Sequence, residues 1–349
     1  MQSEMRRIVL AKRPEGAPTA ENFRLETVPM PKPGAGQVLV RILYLSLDPY
    51  MRGRMDDAKS YAPEVAIGAP MGGGCVAQVE VSNAPGFAPG DIVTGMMGWA
   101  SHWIAEAEGL QKLDPDAAPV STALGVLGMP GLTAWTGLNE YGRPKRGETL
   151  VVSAATGAVG SVVGQLGKIH GLRVVGVAGG AEKCAHAVDT LGLDTCIDHR
   201  AAADAGALRE ALAAACPDGV DIYFENVGGK TLEAVIPLMN VGGRIPVCGM
   251  IAWYNSGGPG AGAQEGGDRL PKLWRTILVN RLSVNGFIVF DHFHRYPAFA
   301  KEVGGHLRDG RITYREDVAE GLETAPEAFM AMLKGGNFGK QLVKVSEPS

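Results

Sequence analysis

The stretch Val151-Val152-Ser153-Ala154-Ala155-Thr156-Gly157-Ala158-Val159-Gly160 constrains this chain more than any other. A β-branched run stops abruptly in small residues, and a helix-compatible run from Ala158 to His170 follows at once. Strand, tight turn and helix in that order present backbone N–H groups at a helix N-terminus, where they can face a pyrophosphate. The first glycine of the usual G-x-G-x-x-G pattern is Ala155 here. A close-packed βα turn in another doubly wound protein would share the pattern, so the surrounding rhythm has to decide.

That rhythm is an alternation of strands and helices from Thr149 onward. The pattern predicts strands at Thr149–Ser153, Arg173–Ala178, Thr195–Asp198, Val220–Phe224, Gly243–Cys248 and Leu282–Phe287. The helices between them are expected at Ala158–His170, Ala181–Leu191, Asp204–Ala215 and Gly229–Met239. Strands so spaced imply a parallel sheet with right-handed crossovers, a Rossmann-type α/β fold whose ligand lies at the carboxyl ends of the strands. From about Arg7 to Gln111 the reading is instead β-rich, with short apolar alternations (Val38–Leu43, Gly74–Val81, Asp91–Gly95) between Pro/Gly punctuation. Ser121–Tyr141 reads as helical with an interruption at Met129-Pro130-Gly131. Asn255–Gly267 is Gly-rich and is expected to form a loop at the rim of the crevice, as a lid or as a plain insertion. A helix over Pro326–Lys334 leads into a last strand, Lys340–Val345, which would return to the N-terminal β domain. The expected division is 1–125 as a β-rich catalytic domain, 126–290 as the dinucleotide-binding domain and 291–349 as a return segment completing the first.

Composition narrows the function. A formal net charge of −4 argues against a general nucleic-acid surface, and 46% hydrophobic residues can fill real cores. Apolar runs such as Ala123–Trp135 are broken by Gly and Pro and are too short to span a bilayer, and Met1–Leu10 lacks the apolar core of a signal peptide. Cys75, Cys184, Cys196, Cys216 and Cys248 are scattered, which predicts free thiols in a reducing cytoplasm; with the charge and the broken apolar runs, neither a membrane nor a nucleic-acid partner is expected. The cysteines make no close pair of the kind a structural zinc site uses. His292 and His294 form one isolated H-x-H, and no metal is expected.

The second strand distinguishes the two nicotinamide cofactors. NAD sites place an acid at its end, on the ribose hydroxyls. Here the strand ends in Ala178-Gly179-Gly180, and Lys183 and Arg200 follow near the expected ribose position. Cations attract a 2′-phosphate, so NADPH is the expected cofactor, with Glu182 as the complication.

Further motifs bring in a family. Leu47-Asp48-Pro49-Tyr50-Met51-Arg52, Met129-Pro130-Gly131-Leu132-Thr133-Ala134, Ala154–Gly160, Glu225-Asn226-Val227-Gly228-Gly229, Cys248-Gly249-Met250, Tyr254-Asn255 and Leu333–Lys340 occur in that order. Together they make the chain resemble the zinc-independent medium-chain dehydrogenases/reductases, in the group of prostaglandin reductases, alkenal/one oxidoreductases and bacterial curcumin reductases. The resemblance implies a GroES-like β domain, a Rossmann domain, NADPH and a homodimer. It places Lys183 on the 2′-phosphate and His199 where some relatives carry a tyrosine. It also carries cofactor contacts to Thr133, Gly157, Val159, Gly160, Asn226, Cys248, Tyr254, Phe287 and Asn337, with Ala158 inside the same turn.

Hydride transfer to the β-carbon of an α,β-unsaturated ketone or aldehyde moves charge onto the carbonyl oxygen, and a donor must meet it there. Tyr254 is the expected donor, and Tyr50, held by Pro49, is expected on the substrate wall or as a packed aromatic of the β domain. Quinone reduction and NADPH binding without turnover are the competing readings.

Overall fold

A computed structural model describes residues 3–58, 60–255 and 270–348. The chain divides into two compact units. One comprises Met1–Gly125 and Glu316–Ser349 with a short piece beginning at Tyr254, and the other runs from Val126 to Trp253 and continues to Arg315.

In the first unit β1 (Glu4–Leu10) pairs antiparallel with β2 (Phe23–Pro29). A larger sheet contains β3 (Gln37–Ser46), β4 (Gly72–Ser82), β5 (Ile92–Gly98), β6 (His102–Glu106) and β7 (Gln111–Lys112). The Pro/Gly breaks fall between these strands, where a ladder could not use a proline nitrogen.

The second unit carries β8 (Thr149–Ser153), β9 (Arg173–Ala178), β10 (Thr195–Asp198), β11 (Val220–Phe224), β12 (Met239–Val247) and β13 (Ser283–Gly286). They form one parallel sheet in the order β10-β9-β8-β11-β12-β13. This is the doubly wound order with its switch point between β8 and β11. Every residue of β8 is buried, as expected for a strand covered on both faces.

One face is packed by α1 (Met129–Thr136), α2 (Gly160–Ile169) and α7 (Tyr296–Arg308), with Leu132, Val163, Leu166 and Phe299 among the core residues. The other is packed by α4 (Ala205–Ala215) and α5 (Gly229–Val235) through Leu208, Leu212, Ala234 and Val235. Leu273 and Ile277 of α6 (Leu270–Asn280) lie against the same core. Helix α3 (Ala181–Asp189) follows β9. Asp204 caps α4, its carboxylate accepting from the Ala207 N–H at 2.8 Å.

The last two strands, β14 (Glu316–Glu320) and β15 (Lys340–Lys344), belong to the first unit, with α8 (Ala325–Leu333) between them. They pair with each other in parallel, and β15 pairs antiparallel with β3, Leu342 opposite Ser46. The returning strand is therefore present, but residues 291–315 are not part of the return. They pack with the dinucleotide-binding unit, where Phe299, Val303 and Ile312 are core residues.

Three local expectations change. Met129-Pro130-Gly131 begins a helix rather than interrupting one, because proline is tolerated in a first turn whose N–H groups have no helical partner. Pro237 ends α5 at Val235 and converts Ile236–Leu238 to a 3-10 turn. Strand β12 starts at Met239, four residues ahead of the apolar run that marks it in sequence. Most of the Gly-rich Asn255–Gly267 stretch lies outside the described residues. No helix among the described residues is long and apolar enough to cross a membrane.

Candidate functional site

The site begins where β8 ends. Ala154 adopts a left-handed backbone (φ 51°), a conformation that costs a residue bearing Cβ about 1–2 kcal/mol. It lets the chain reverse, with the Gly157 N–H donating to the Ala154 carbonyl at 2.9 Å. That carbonyl lies against Gly160, where an added Cβ would come within 2.2 Å of the oxygen, so only glycine fits. Ala155, which replaces the first motif glycine, is fully buried. Its methyl has room because Gly176 stands on β9 beside it, where a second Cβ would approach to 2.8 Å. Among the described residues the N–H groups of Ala158, Val159 and Gly160 have no backbone partner. Three such donors at the start of α2 suit an anion.

The next strand ends gather positive charge. Asp198 Oδ1 accepts from the N–H groups of Gly180 and Arg200, both at 2.8 Å, and the former bond is the chief cause holding its carboxyl below the ordinary range. This pulls the turn after β10 toward the turn after β9. Arg200 Nε and His199 Nε2 then lie over Gly179, 2.8 and 3.0 Å from where its Cβ would be. Burial pushes the His199 imidazole below its usual value, and the charges of Lys230, Arg200 and Lys183 add to that shift while Asp198 opposes it. Lys183, His199 and Arg200 are thus brought to one corner of the sheet. Glu182 is exposed, and its charge acts on His186 one turn along α3.

At the end of β11 a buried carboxyl organises three chain segments. Glu225 Oε1 accepts from Ser153 Oγ at 3.1 Å, Val227 N–H at 2.7 Å and Gly228 N–H at 2.9 Å. Its main-chain carbonyl accepts from Cys248 and Gly249 at 2.9 and 3.1 Å. Asn226 donates to Ser153 twice, N–H to Oγ and Nδ2 to the carbonyl, both at 2.8 Å. The ends of β8, β11 and β12 are locked together at the switch point. Burial raises the Glu225 carboxyl, against the pull of the two N–H donors, and raises the Cys248 thiol to about 12. On this turn docks the segment leading to Tyr254, with Ala252 N–H on the Val227 carbonyl at 3.0 Å and the Trp253 ring over Gly228.

Two further family-implied residues have partners within the second unit. Thr133 spends its hydroxyl proton on the Met129 carbonyl, 2.7 Å away in its own helix. The Phe287 ring is a core element, stacked on Tyr141 with centroids 5.1 Å apart and edge-on to Phe224. His292 lies 3.0 Å from the Tyr141 hydroxyl. The described residues contain no group of three or more His, Cys, Asp or Glu able to hold a metal ion.

In the first unit Tyr50 sits in a 3-10 turn, Pro49–Met55. Its phenol is pushed up by burial first and by the Asp48 charge second. The turn is anchored behind it. Lys340 Nζ, from β15, donates to Asp48 Oδ1 at 2.8 Å and to the Leu47 carbonyl at 2.7 Å, and the Ser46 hydroxyl donates to the other oxygen of Asp48. Arg52 is fully buried and holds Asp56 and the Gly16 carbonyl, each at 2.7 Å. Asn337 precedes β15 and donates to the Gly339 carbonyl at 2.7 Å.

Comparison with known proteins assigns the family. A family model described as the N-terminal domain of oxidoreductase matches residues 6–113, and one described as zinc-binding dehydrogenase matches residues 158–304. The chain is 53% identical to the NADPH-dependent curcumin reductase of Escherichia coli over 98% of its own length and 97% of that protein's. It belongs to the medium-chain dehydrogenases/reductases, in their zinc-independent group. Another member, the NADP(+)-dependent 2-alkenal reductase of Nicotiana tabacum, is 41% identical over 98% of this chain and 97% of its own. The crystal structure of CurA from Vibrio vulnificus in complex with NADPH superposes with a TM-score of 0.93 at 52% identity, covering 98% of this chain and all of that one.

Sequence reasoning passed over Lys230 and the structural roles of Glu225, Ser153 and Lys340. Glu225 and Lys340 lay inside quoted motifs, but a motif does not show what a side chain touches. Lys230, directly after Gly228-Gly229, carried a weak signal as a cation in the first turn of a helix, where the macrodipole disfavours it.

Proposed function

We propose that this chain reduces the carbon–carbon double bond of α,β-unsaturated ketones and aldehydes with NADPH. The observation that carries the cofactor assignment is the corner formed by Lys183, His199 and Arg200, next to a β9 end that has no acid. The N–H groups of Ala158, Val159 and Gly160 would receive the pyrophosphate, with Gly157 in the same turn. Asn226, Cys248, Thr133 and the main chain of Phe287, together with Asn337 and Tyr254, complete the proposed contacts. The substrate class is supported by the relatives, which include curcumin and 2-alkenal reductases.

NADPH, when bound, supplies a hydride. The protein's part is orientation and charge stabilisation. Tyr254 donates its phenol proton as a hydrogen bond to the carbonyl oxygen as that oxygen becomes an enolate. Such a donor is typically worth about 2.7–4 kcal/mol, or 10²–10³ in rate. Tyr50 forms the substrate wall, and the α-carbon takes its proton from water. A homodimer and a cytoplasmic location belong to the same reading. The dimer is supported by the β13 edge, unpaired among the described residues, and by exposed Trp274, Leu278 and Val284 beside it. The location is supported by five free cysteines.

The test is an NADPH-oxidation screen over enals, cyclic and aryl enones and quinones, with NADH as control. Turnover of enones and enals with NADPH is expected. Faster quinone turnover, or binding without turnover, refutes the reading. Tyr254→Phe is expected to lower kcat/KM by at least tenfold, and a loss below about threefold, under 1 kcal/mol, removes Tyr254 from the mechanism.

A further inference from the structure

Lys230 stands at the second residue of α5 and reaches away from its own helix. Its Nζ donates to the carbonyls of His199 at 2.7 Å and Ala202 at 2.8 Å. These two carbonyls bracket the turn that follows β10. The same turn is held at its start by Asp198, whose Oδ1 accepts the Arg200 and Gly180 N–H groups. Beyond the His199 N–H, which still bonds to the Ala178 carbonyl of β9 at 3.0 Å, an ammonium on two carbonyls and a carboxylate on two N–H groups fix this turn. The consequence is visible at Gly179, over which Arg200 and His199 lie so closely that an added Cβ would displace them. Lys230 holds the carbonyl side of that turn, and a turn released there would disperse its cations.

The placement of the lysine supports a dedicated role. A cation in the first turn of a helix opposes the helix dipole, and a side chain there is normally acidic or neutral. Burying part of its stem and spending two of its protons on carbonyls is offset only by what it orders. The charge counts as well: the Lys230 ammonium disfavours a charged His199 ring more than Arg200 or Lys183 does.

We propose that Lys230 is a positioning residue that sets the preference for NADPH over NADH, by holding His199 and Arg200 in place to receive the 2′-phosphate. The proposal rests on the NADPH reading above and extends it to a residue that does not itself have to touch the cofactor.

The experiment isolates that phosphate. Binding of 2′,5′-ADP and of 5′-AMP to the full chain is measured by calorimetric titration for wild type, Lys230→Met and Lys230→Gln. Lys230→Met keeps the apolar stem and removes the charge and both hydrogen bonds. It is expected to weaken 2′,5′-ADP at least tenfold, to change 5′-AMP less than twofold, and to raise KM for NADPH while kcat at saturation stays within twofold. Lys230→Gln, which keeps a neutral donor, is expected to fall between. Two results overturn the proposal: 2′,5′-ADP affinity within twofold of wild type, or equal losses for both nucleotides, the mark of a general structural role. If Lys230→Met does not fold, the glutamine variant is judged by the same two criteria. Failure of the wild type itself to prefer 2′,5′-ADP over 5′-AMP would instead overturn the NADPH reading.

Discussion

The Asp48–Lys340 pair gives the sharpest test of how the first unit is held together. The two side chains are 7% and 4% exposed, and they join residues 292 positions apart. Lys340→Met leaves the Asp48 carboxylate with the Ser46 hydroxyl and removes the Nζ donor from the Leu47 carbonyl. Removing one member of a buried pair typically costs about 3–5 kcal/mol, because the other charge stays buried without compensation. Asp48→Asn strands the ammonium and is expected to cost a similar amount. The double variant removes both charges, so it should be less damaged than the sum of the two, with a coupling of at least about 2 kcal/mol. In equilibrium urea unfolding, with a slope of about 2 kcal/mol per M, each single substitution should lower the midpoint of the first unit by about 1.5–2.5 M. Single variants within 1 kcal/mol of wild type, or effects that add within about 0.5 kcal/mol, would refute the argument that charge burial fixes this turn. Tyr50 rides on the same turn, so kcat/KM should fall in step with the loss of stability.

Gly160→Ala would drive a Cβ to 2.2 Å from the Ala154 carbonyl oxygen, and the turn must open to relieve it. NADPH affinity, followed by fluorescence titration, should drop at least tenfold, and an unchanged titration would contradict the close approach. Glu225→Gln keeps an oxygen for Ser153, Val227 and Gly228 and places an N–H on the side of the buried Tyr223 hydroxyl. Because the Glu225 carboxyl is raised in the native protein, its contribution is fully present below about pH 4.5 and is lost as pH rises through the native value. The glutamine variant should therefore melt at or above the wild-type temperature at pH 8 and lose that advantage on acidification. A melting temperature several degrees lower at pH 8 would refute it. Glu225→Ala, by contrast, removes the acceptor of three buried donors and should cost about 2–5 kcal/mol in chemical denaturation; a loss below 1 kcal/mol would contradict the hub.

The dinucleotide-binding sheet was legible because a parallel strand covered on both faces needs a near-continuous apolar run, and Leu150–Val152, Val174–Ala178 and Ile222–Phe224 supply one. The start of β12 was not, since Met239-Asn240-Val241-Gly242-Gly243 has no such run and is specified by its pairing with β11. The allotment of 291–315 to the C-terminal return failed for a related reason. What binds that segment to the second unit is Phe299 against Trp135 and the Tyr296 hydroxyl on the Leu127 carbonyl, a packing fact with no local signature. At the site, Gly160 and the acid-free strand end at Ala178-Gly179-Gly180 could be read from local pattern, while Asn226 came only with the family resemblance. Residues whose role is to hold another segment could not. Lys230 acts on residues 28 and 31 positions away, and Lys340 on residues nearly the whole chain away.

The insertion of β15 beside β3 bears on how the polypeptide is made. Residues 126–315 contain every strand of the parallel sheet and can close as soon as they leave the ribosome. The first unit cannot, although its opening strands emerge earliest. At the usual 5–20 residues per second, the roughly 220 residues from 125 to 344 take on the order of 10–45 s to synthesise. Throughout that interval Tyr44–Ser46 present an apolar edge awaiting its partner, and Asp48 waits for its cation. A nascent chain stalled between those points would expose a sticky flank, so chaperone dependence should concentrate in that window of translation.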